Sequence, residues 1–344
     1  MDGNTPHRTS LILVRLIAVT LTAPIVLAAP DDALPQRAAS EPLQLEAKIP
    51  LGKVIGRIDH MAVDVPRHRL FVAELGNNTV GVVDLGARKV VHRISGLSEP
   101  QGVAYVASND SLYVANGGDG SVRVFHGADY ARAGRIDLGE DADNIRVDTP
   151  ANRLLVGYGN GAIAAIRLPE SGRGSDFPLQ AHPESFQLDP ATSRIFVNLP
   201  NARSIAVLDS HTGEQRASWA MKYAANFAMA LDHDRRRVLV AFRHPAKFVA
   251  FSEETGAAAS EVDTCGDADD LFLDRKRNRV YVVCGSGFLD VLMAQEPAYP
   301  RLARIPTVSG ARTALFVPEI DRLLLGVRAR RGNPASIWVY RAVP

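Results

Sequence analysis

The sequence is poor in aromatic residues, has only two cysteines and carries almost no net charge, and each shortage removes a class of function. Aromatic residues make up 6% of the chain, with two tryptophans. That leaves little material for a base-stacking platform or an aromatic sugar cleft. The formal charge of +1 at neutral pH excludes both a broad basic surface and an acidic tail, so no nucleic-acid partner is expected. Cys265 and Cys284 stand far apart in sequence, with no CxxC redox motif and no haem-attachment motif. There is also no GxSxG elbow, no P-loop and no HExxH zinc motif.

Long apolar runs are missing too, except at the start. Arg8 and Arg15 precede "LIAVTLTAPIVLAA", a run of secretory-signal length that is short for a bilayer span. Val26 and Ala28 are the small residues expected ahead of a cut after Ala28. Residues 1–28 are therefore expected to be a secretory signal peptide, the other reading being an uncleaved anchor. No cysteine follows, which removes a lipoprotein. Residues 29–42, rich in Pro and Ala, read as a flexible linker. The expected location is periplasmic or secreted, with no membrane insertion after signal cleavage.

What the chain has in abundance is repetition. The short runs "HMAVD", "GVAYV", "NIRVD", "SFQLD", "AMALD", "DLFLD" and "TALFV" end at 64, 106, 148, 189, 232, 274 and 317, in steps of 41 to 43 residues. Each is followed by a turn, a β-rich run such as "RLLVGY", a Gly/Asn turn and a third run such as "AIAAIRL". A less regular fourth run precedes the next repeat. Period-2 alternation and β-branched residues identify strands, and a period near 42 with four strands per unit predicts a β-propeller. The fold class is therefore all-β: seven four-stranded antiparallel blades, one domain over residues 43–344. The last repeat stops after its third strand, and "LQLEAKIPLG" (43–52) stands alone at the front. As outer strand of the last blade it closes the ring and removes exposed edges.

"RLFVAELGNNTVGVVDL" (69–85) and "SLYVANGGDGSVRVF" (111–125) resemble the YVTN-type propeller repeat, and the chain from 46 to 344 resembles the YncE-like exported bacterial propellers. That resemblance implies the seven-bladed fold and export. It does not imply an activity, because related propellers include lactone hydrolases, a lyase, dehydrogenase subunits and surface-binding proteins.

The repeats separate scaffold from candidate site. Asp64, Asp148, Asp189, Asp232 and Asp274 close the first strand, and Arg69, Arg153, Arg194, Arg237, Arg279 and Arg322 open the second. Such an Asp caps the turn amides, and the Arg five residues on is expected to pair with it. Five positions before the Asp the blades differ: Asp59, Gln101, Asp143, Glu184, Phe227, Asp269 and Arg312. Two positions earlier come Arg57, Glu99, Asp141, His182, Ala225, Asp267 and Gly310. These segments lead into the innermost strands and should meet around the channel at one face. Carboxylates that close require a cation, raised pKa values or hydration.

Several readings follow. Asp59, Asp143, Glu184 and Asp269 are candidate ligands for Ca²⁺ or Mg²⁺, and His60 with His182 extends the set to Zn²⁺ or Mn²⁺. The plain alternative is a wet polar channel. For a small-molecule ligand the candidates are His60, Gln101, Asn144, His182, Asn226, Asp270, Arg312 and Arg243. The turns between second and third strands add His244, Lys247, Arg328, Arg330 and Arg331, a positive sector suited to a zwitterionic or anionic ligand; solvated loops are the plain reading. The expected role is a binding protein for a small ligand or a periplasmic protein partner. One alternative is a metal-assisted hydrolase or lyase acting on a lactone-like substrate. There Asp143, Glu184 and Asp269 would hold the metal, His60 or His182 act as base, and Arg312 clamp an oxyanion. The other is a protein-interaction scaffold. In an oxidising compartment Cys265 and Cys284 are expected to form a disulfide, stabilising the fold by about 3 kcal/mol in the chain-entropy account.

Overall fold

The computed structural model describes residues 41–169, 172–330 and 332–344, with 1–3, 10, 12 and 13. Ala28 and most of the expected export segment and linker lie outside the described residues. Among the described residues no helix is long and apolar enough to cross a membrane.

Each repeat folds as a four-stranded antiparallel sheet whose strands pair in chain order. Blade 1, for example, consists of Met61–Asp64, Arg69–Glu74, Thr79–Asp84 and Lys89–Ile94. The exception is the last blade, which takes Ala314–Val317, Arg322–Val327 and Ala335–Ala342 from the C-terminus and Leu43–Gly52 from the front of the chain. Leu43 lies opposite Ala342 and Ile49 opposite Ile337. The expected closure of the ring is thus the observed one.

Seven apolar clusters fill the seven gaps between neighbouring blades. One joins blades 2 and 3 through Tyr113, Val122, Leu154 and Val156. Another joins blades 7 and 1 through Ile337, Leu324, Leu70 and Val72. Because every blade is covered on both faces, its second and third strands are apolar almost throughout. Leu70, Phe71, Val72 and Ala73 are all buried, so the alternation expected of a half-exposed strand survives mainly in the outermost strands, such as Lys89–Ile94. Burying each Val, Leu or Phe contributes roughly 1.5–3 kcal/mol relative to exposure, and the ring multiplies that gain at every gap.

The turn carboxylates behave as scaffold, with one correction to their partners. Asp64, Asp232 and Asp274 accept the amide of the residue three positions on. Their charge partner is Arg67, Arg235 or Arg277, also three positions on. The expected pairing five residues on occurs at Asp148 and Arg153, 2.8 Å apart. Arg69 and Arg322 pair within their own sheets, with Asp84 and Glu46, whereas Arg194, Arg237 and Arg279 reach into the following blade. Arg194 Nη1 donates to the Glu253 carbonyl at 2.6 Å, and Arg237 Nη2 to Glu296 Oε2 at 3.1 Å. Arg279 Nη1 donates to the Val343 carbonyl at 2.5 Å. A long side chain at a strand's start reaches past its own turn more easily than it folds back, so these arginines latch blade to blade.

Cys265 and Cys284 are joined by a disulfide. It ties the loop leading into blade 6 to the end of that blade's second strand, Arg279–Cys284.

Candidate functional site

The innermost strands of the blades touch their counterparts around the ring. At one end, the loops leading into them and the turns between second and third strands enclose a polar cavity of about 460 Å³. Its wall includes Gln101, Asp143, Glu184, Phe227, Asp269 and Arg312, six of the seven residues that share one register in the repeats. The seventh, Asp59, lies just beneath, buried and 2.8 Å from Arg57 Nη2, whose side chain does reach the cavity. Asp141, His182 and Arg243 also line it.

Local backbone makes this crowding feasible. Gly102 fills the slot that holds His60 in blade 1, and a Cβ there would lie 2.0 Å from the Asp143 carbonyl oxygen. At Gly117 a Cβ would lie 2.2 Å from Gln101 Nε2. Any side chain at either position displaces a residue of the cavity.

The charges are compensated from within the protein. Blade 6 contributes Asp267 and Asp269, clasped between guanidinium groups from blades 5 and 7. Arg243 pairs with Asp269 and lies 3.3 Å from Asp267. Arg312 lies 3.0 Å from Asp267 and 3.1 Å from Asp269. Arg243 also stacks 3.5 Å above the centre of the Phe227 ring, which fixes its plane. On the opposite side, Asp143 sits between two imidazoles, His60 Nε2 and His182 Nε2, each 3.9 Å away. His182 Nδ1 is 2.6 Å from the Gly159 carbonyl oxygen, so Nδ1 carries a proton. Gln101 Nε2 donates to Asp141 Oδ1 at 3.0 Å.

These contacts set the protonation states. Burial works against a charged His182, but the Asp143 carboxylate 3.9 Å away, the Gly159 carbonyl and nearby Asp141 outweigh it and lift the imidazole to about 9. Burial pushes Glu184 up to about 7, helped by the neighbouring Asp143 charge. Asp143 is buried as well, yet His182 and His60 hold it below the ordinary aspartate value. Beneath the cavity, burial raises Asp59 and Asp270 to about 6. His60 is raised despite its burial by Asp59, Asp270 and Asp143.

Other expected residues have structural duties. Asp270 Oδ2 accepts the Ala314 amide at 2.7 Å, stitching blade 6 to blade 7. Asn226 is fully buried and donates to Asn198 Oδ1 and the Ser204 carbonyl. Asn144 is buried too, its Oδ1 without a hydrogen-bond partner. Of the described members of the expected positive sector, Arg243 and Arg312 line the cavity; Arg331 lies outside the described residues. Lys247 turns outward to Glu261 and Asp263, and Arg328 and Arg330 border a different cavity. The four carboxylates proposed as metal ligands do not converge: among the described residues no three His, Cys, Asp or Glu side chains form a metal-holding group. Asp269 is occupied by two arginines and Asp59 by one.

Arg146 escaped the sequence reading. It is half-buried beneath the cavity, donates to the Phe186 carbonyl at 3.1 Å, and its charge acts on His60 and Asp270. Its signal was available, because no other repeat carries a cation two positions before the end of its first strand. Glu140, Asn160 and Asn201 complete the wall.

No protein-family description and no curated protein matches the chain. Solved structures do match in shape. One is a hydrazine synthase of Kuenenia stuttgartiensis, at 14% identity and TM-score 0.73, covering 83% of this chain and 96% of that one. A chain of a mitotic checkpoint complex gives 13% and 0.74, covering 94% and 98%. The WD40 repeats of RRP9 give 11% and 0.75, covering 88% and 100%. At such identities the likeness establishes the seven-bladed fold and nothing finer.

Proposed function

We propose that this protein is an exported, YncE-like binding protein of the YVTN-repeat type. Its channel mouth takes a small zwitterionic ligand. The observation that carries the reading is that both signs of charge line one cavity: carboxylates of Glu140 and Asp141 on the blade 3 side, and on the side of blades 5 and 7 the guanidiniums of Arg243 and Arg312, two cations that share Asp269. A ligand's ammonium group faces the first pair and its carboxylate the second. The cavity volume suits a molecule of amino-acid or dipeptide size. Export is supported by the disulfide, a bond typical of oxidising compartments, and by the apolar segment after Arg15.

Metal-assisted hydrolysis has less support, since the acidic side chains are already neutralised by arginine and histidine rather than gathered around a point. The scaffold reading rests on the fold alone.

The test is a thermal-shift screen of the purified chain with free amino acids, dipeptides and betaines, followed by calorimetry on any hit. The expected result is saturable stabilisation by at least one zwitterion that is lost in Arg312→Gln. If no panel member binds, the ligand reading is wrong. A stoichiometric partner captured from periplasmic extract would then support the scaffold, and near-stoichiometric Ca, Mn or Zn by elemental analysis the metal alternative.

A further inference from the structure

A second cavity, of about 500 Å³, lies in blade 7 beside the loop arriving from blade 6. Lys48, Val327, Arg328, Arg330, Ser336 and Trp338 are among its walls, and among the described residues no acidic side chain lines it. That is a different chemistry from the channel mouth, where both signs of charge are present.

Its parts are held in position. Trp338 is half-buried at the blade 6–7 gap beside Val308, with its indole N–H donated to Ser336 Oγ at 3.2 Å. The Lys48 ammonium lies 3.9 Å from the centre of the indole ring. Gly310 has φ +85°, and a Cβ there would lie 1.9 Å from Arg328 Nη2. Only glycine lets that guanidinium lie against the loop, so a side chain at 310 would expel it. Arg330 and Asn333 exchange two backbone hydrogen bonds, at 3.0 and 2.9 Å, which fixes the rim on that side.

We propose that this cavity is a second binding site, for a small anion with a flat apolar body: an aromatic carboxylate, sulfonate or phosphate. The indole and Val327 cover the apolar body. The two guanidiniums take the anionic oxygens, for which their paired N–H donors are suited. The Lys48 ammonium sits over the indole and moves aside or joins the anion. A cavity whose described walls carry three cations and no carboxylate selects against neutral and cationic aromatics.

The test uses the only other tryptophan, Trp219, to isolate the signal. In a Trp219→Phe chain Trp338 is the sole indole, and its fluorescence is titrated with naphthalenesulfonate and, separately, with uncharged naphthol. Saturable quenching by the sulfonate is expected, about tenfold weaker in an Arg328→Gln/Arg330→Gln variant, with naphthol binding more weakly than the sulfonate throughout. Absence of saturable quenching overturns the proposal. So does equal affinity in the double variant, or naphthol binding as tightly as the sulfonate. Calorimetry on the chain with both tryptophans, with and without the two arginine changes, gives the same comparison if Trp219→Phe prevents folding.

Discussion

The strand Ala142–Asp148 carries two aspartates in opposite circumstances. Asp143, at the channel mouth, is held by imidazoles from blades 1 and 4. Asp148, at the far end, is held by the Ala151 amide and by Arg153 of its own blade. The contrast extends to the whole channel. The mouth is walled by charged and amide side chains, whereas the far end, between the inner strands of blades 4 to 7, is lined largely by Leu188, Leu231, Leu273, Phe272 and Phe316. Carboxylates that recur are satisfied within one repeat and so can be copied from blade to blade. Asp143 and Asp269, at positions that vary, are satisfied across blade boundaries, so each depends on what its neighbours carry, while Asp59 is paired with Arg57 of its own loop.

The comparison breaks most visibly at Arg243. Its replacement by Ala leaves Asp269 partly buried with one cation instead of two, and losing a hydrogen bond to a charged group costs about 1.5–3 kcal/mol. Urea unfolding of Arg243→Ala checks this; a change under about 1 kcal/mol would mean that the clasp is a solvated surface pair. At the far end, Asp232→Ala removes a fully buried carboxylate with an amide and an arginine partner. Its cost is about 1–3 kcal/mol, with the mouth unaffected: the His182 titration followed by NMR should be unchanged.

The smallest effects are the most specific. Asp143→Asn should lower the His182 pKa from its elevated position near 9 by a unit or more, a shift that NMR titration reads directly. Stability should also depend on pH with a definite sign. Glu184, Asp59 and Asp270 titrate higher in the folded protein than when unfolded, as does His182. From pH 5 to 9 the native state therefore holds more protons, and stability falls as pH rises. The Asp59 and Asp270 part is lost as pH rises through about 6, the Glu184 part as it rises through about 7, and the His182 part between about 6.5 and 9. On the acid side the carboxylates held below their ordinary value, such as Asp84 and Asp321, the latter at about 2, lose their contribution below pH 4. Maximal stability should lie near pH 5, and Glu184→Gln should flatten the fall between 5 and 7.

The ring, its seven blades and its closure were legible because a 42-residue period admits few architectures. Six residues of the mouth were legible for a related reason: a shared register in seven repeats projects to a shared height in the channel. Partners were not legible. Nothing in the spacing says that Asp269 faces Arg243 and Arg312, because those contacts cross blade boundaries and depend on side-chain reach. The same reason explains why Arg328 and Arg330, which follow the second strand of blade 7, border another cavity, whereas Arg243, next to last in the second strand of blade 5, lines the channel mouth. Asp270 and Asn226 look like ligands in the sequence, but buried amides and carboxylates also serve as seam material, and only the packed structure separates the two uses.

The strand Leu43–Gly52 has a consequence for time rather than for shape. Its pairing with Ala335–Ala342 joins positions nearly the whole chain apart, as in the bond from Arg341 to Gln44 across 297 residues. Contacts so remote in sequence form slowly, so the last blade is assembled only after the final residues have emerged, and the ring stays an open arc until then. Once formed, the seam must be parted before any blade can peel away. The native state should therefore owe its persistence to a slow unfolding rate, and a protease would find its first foothold at this seam.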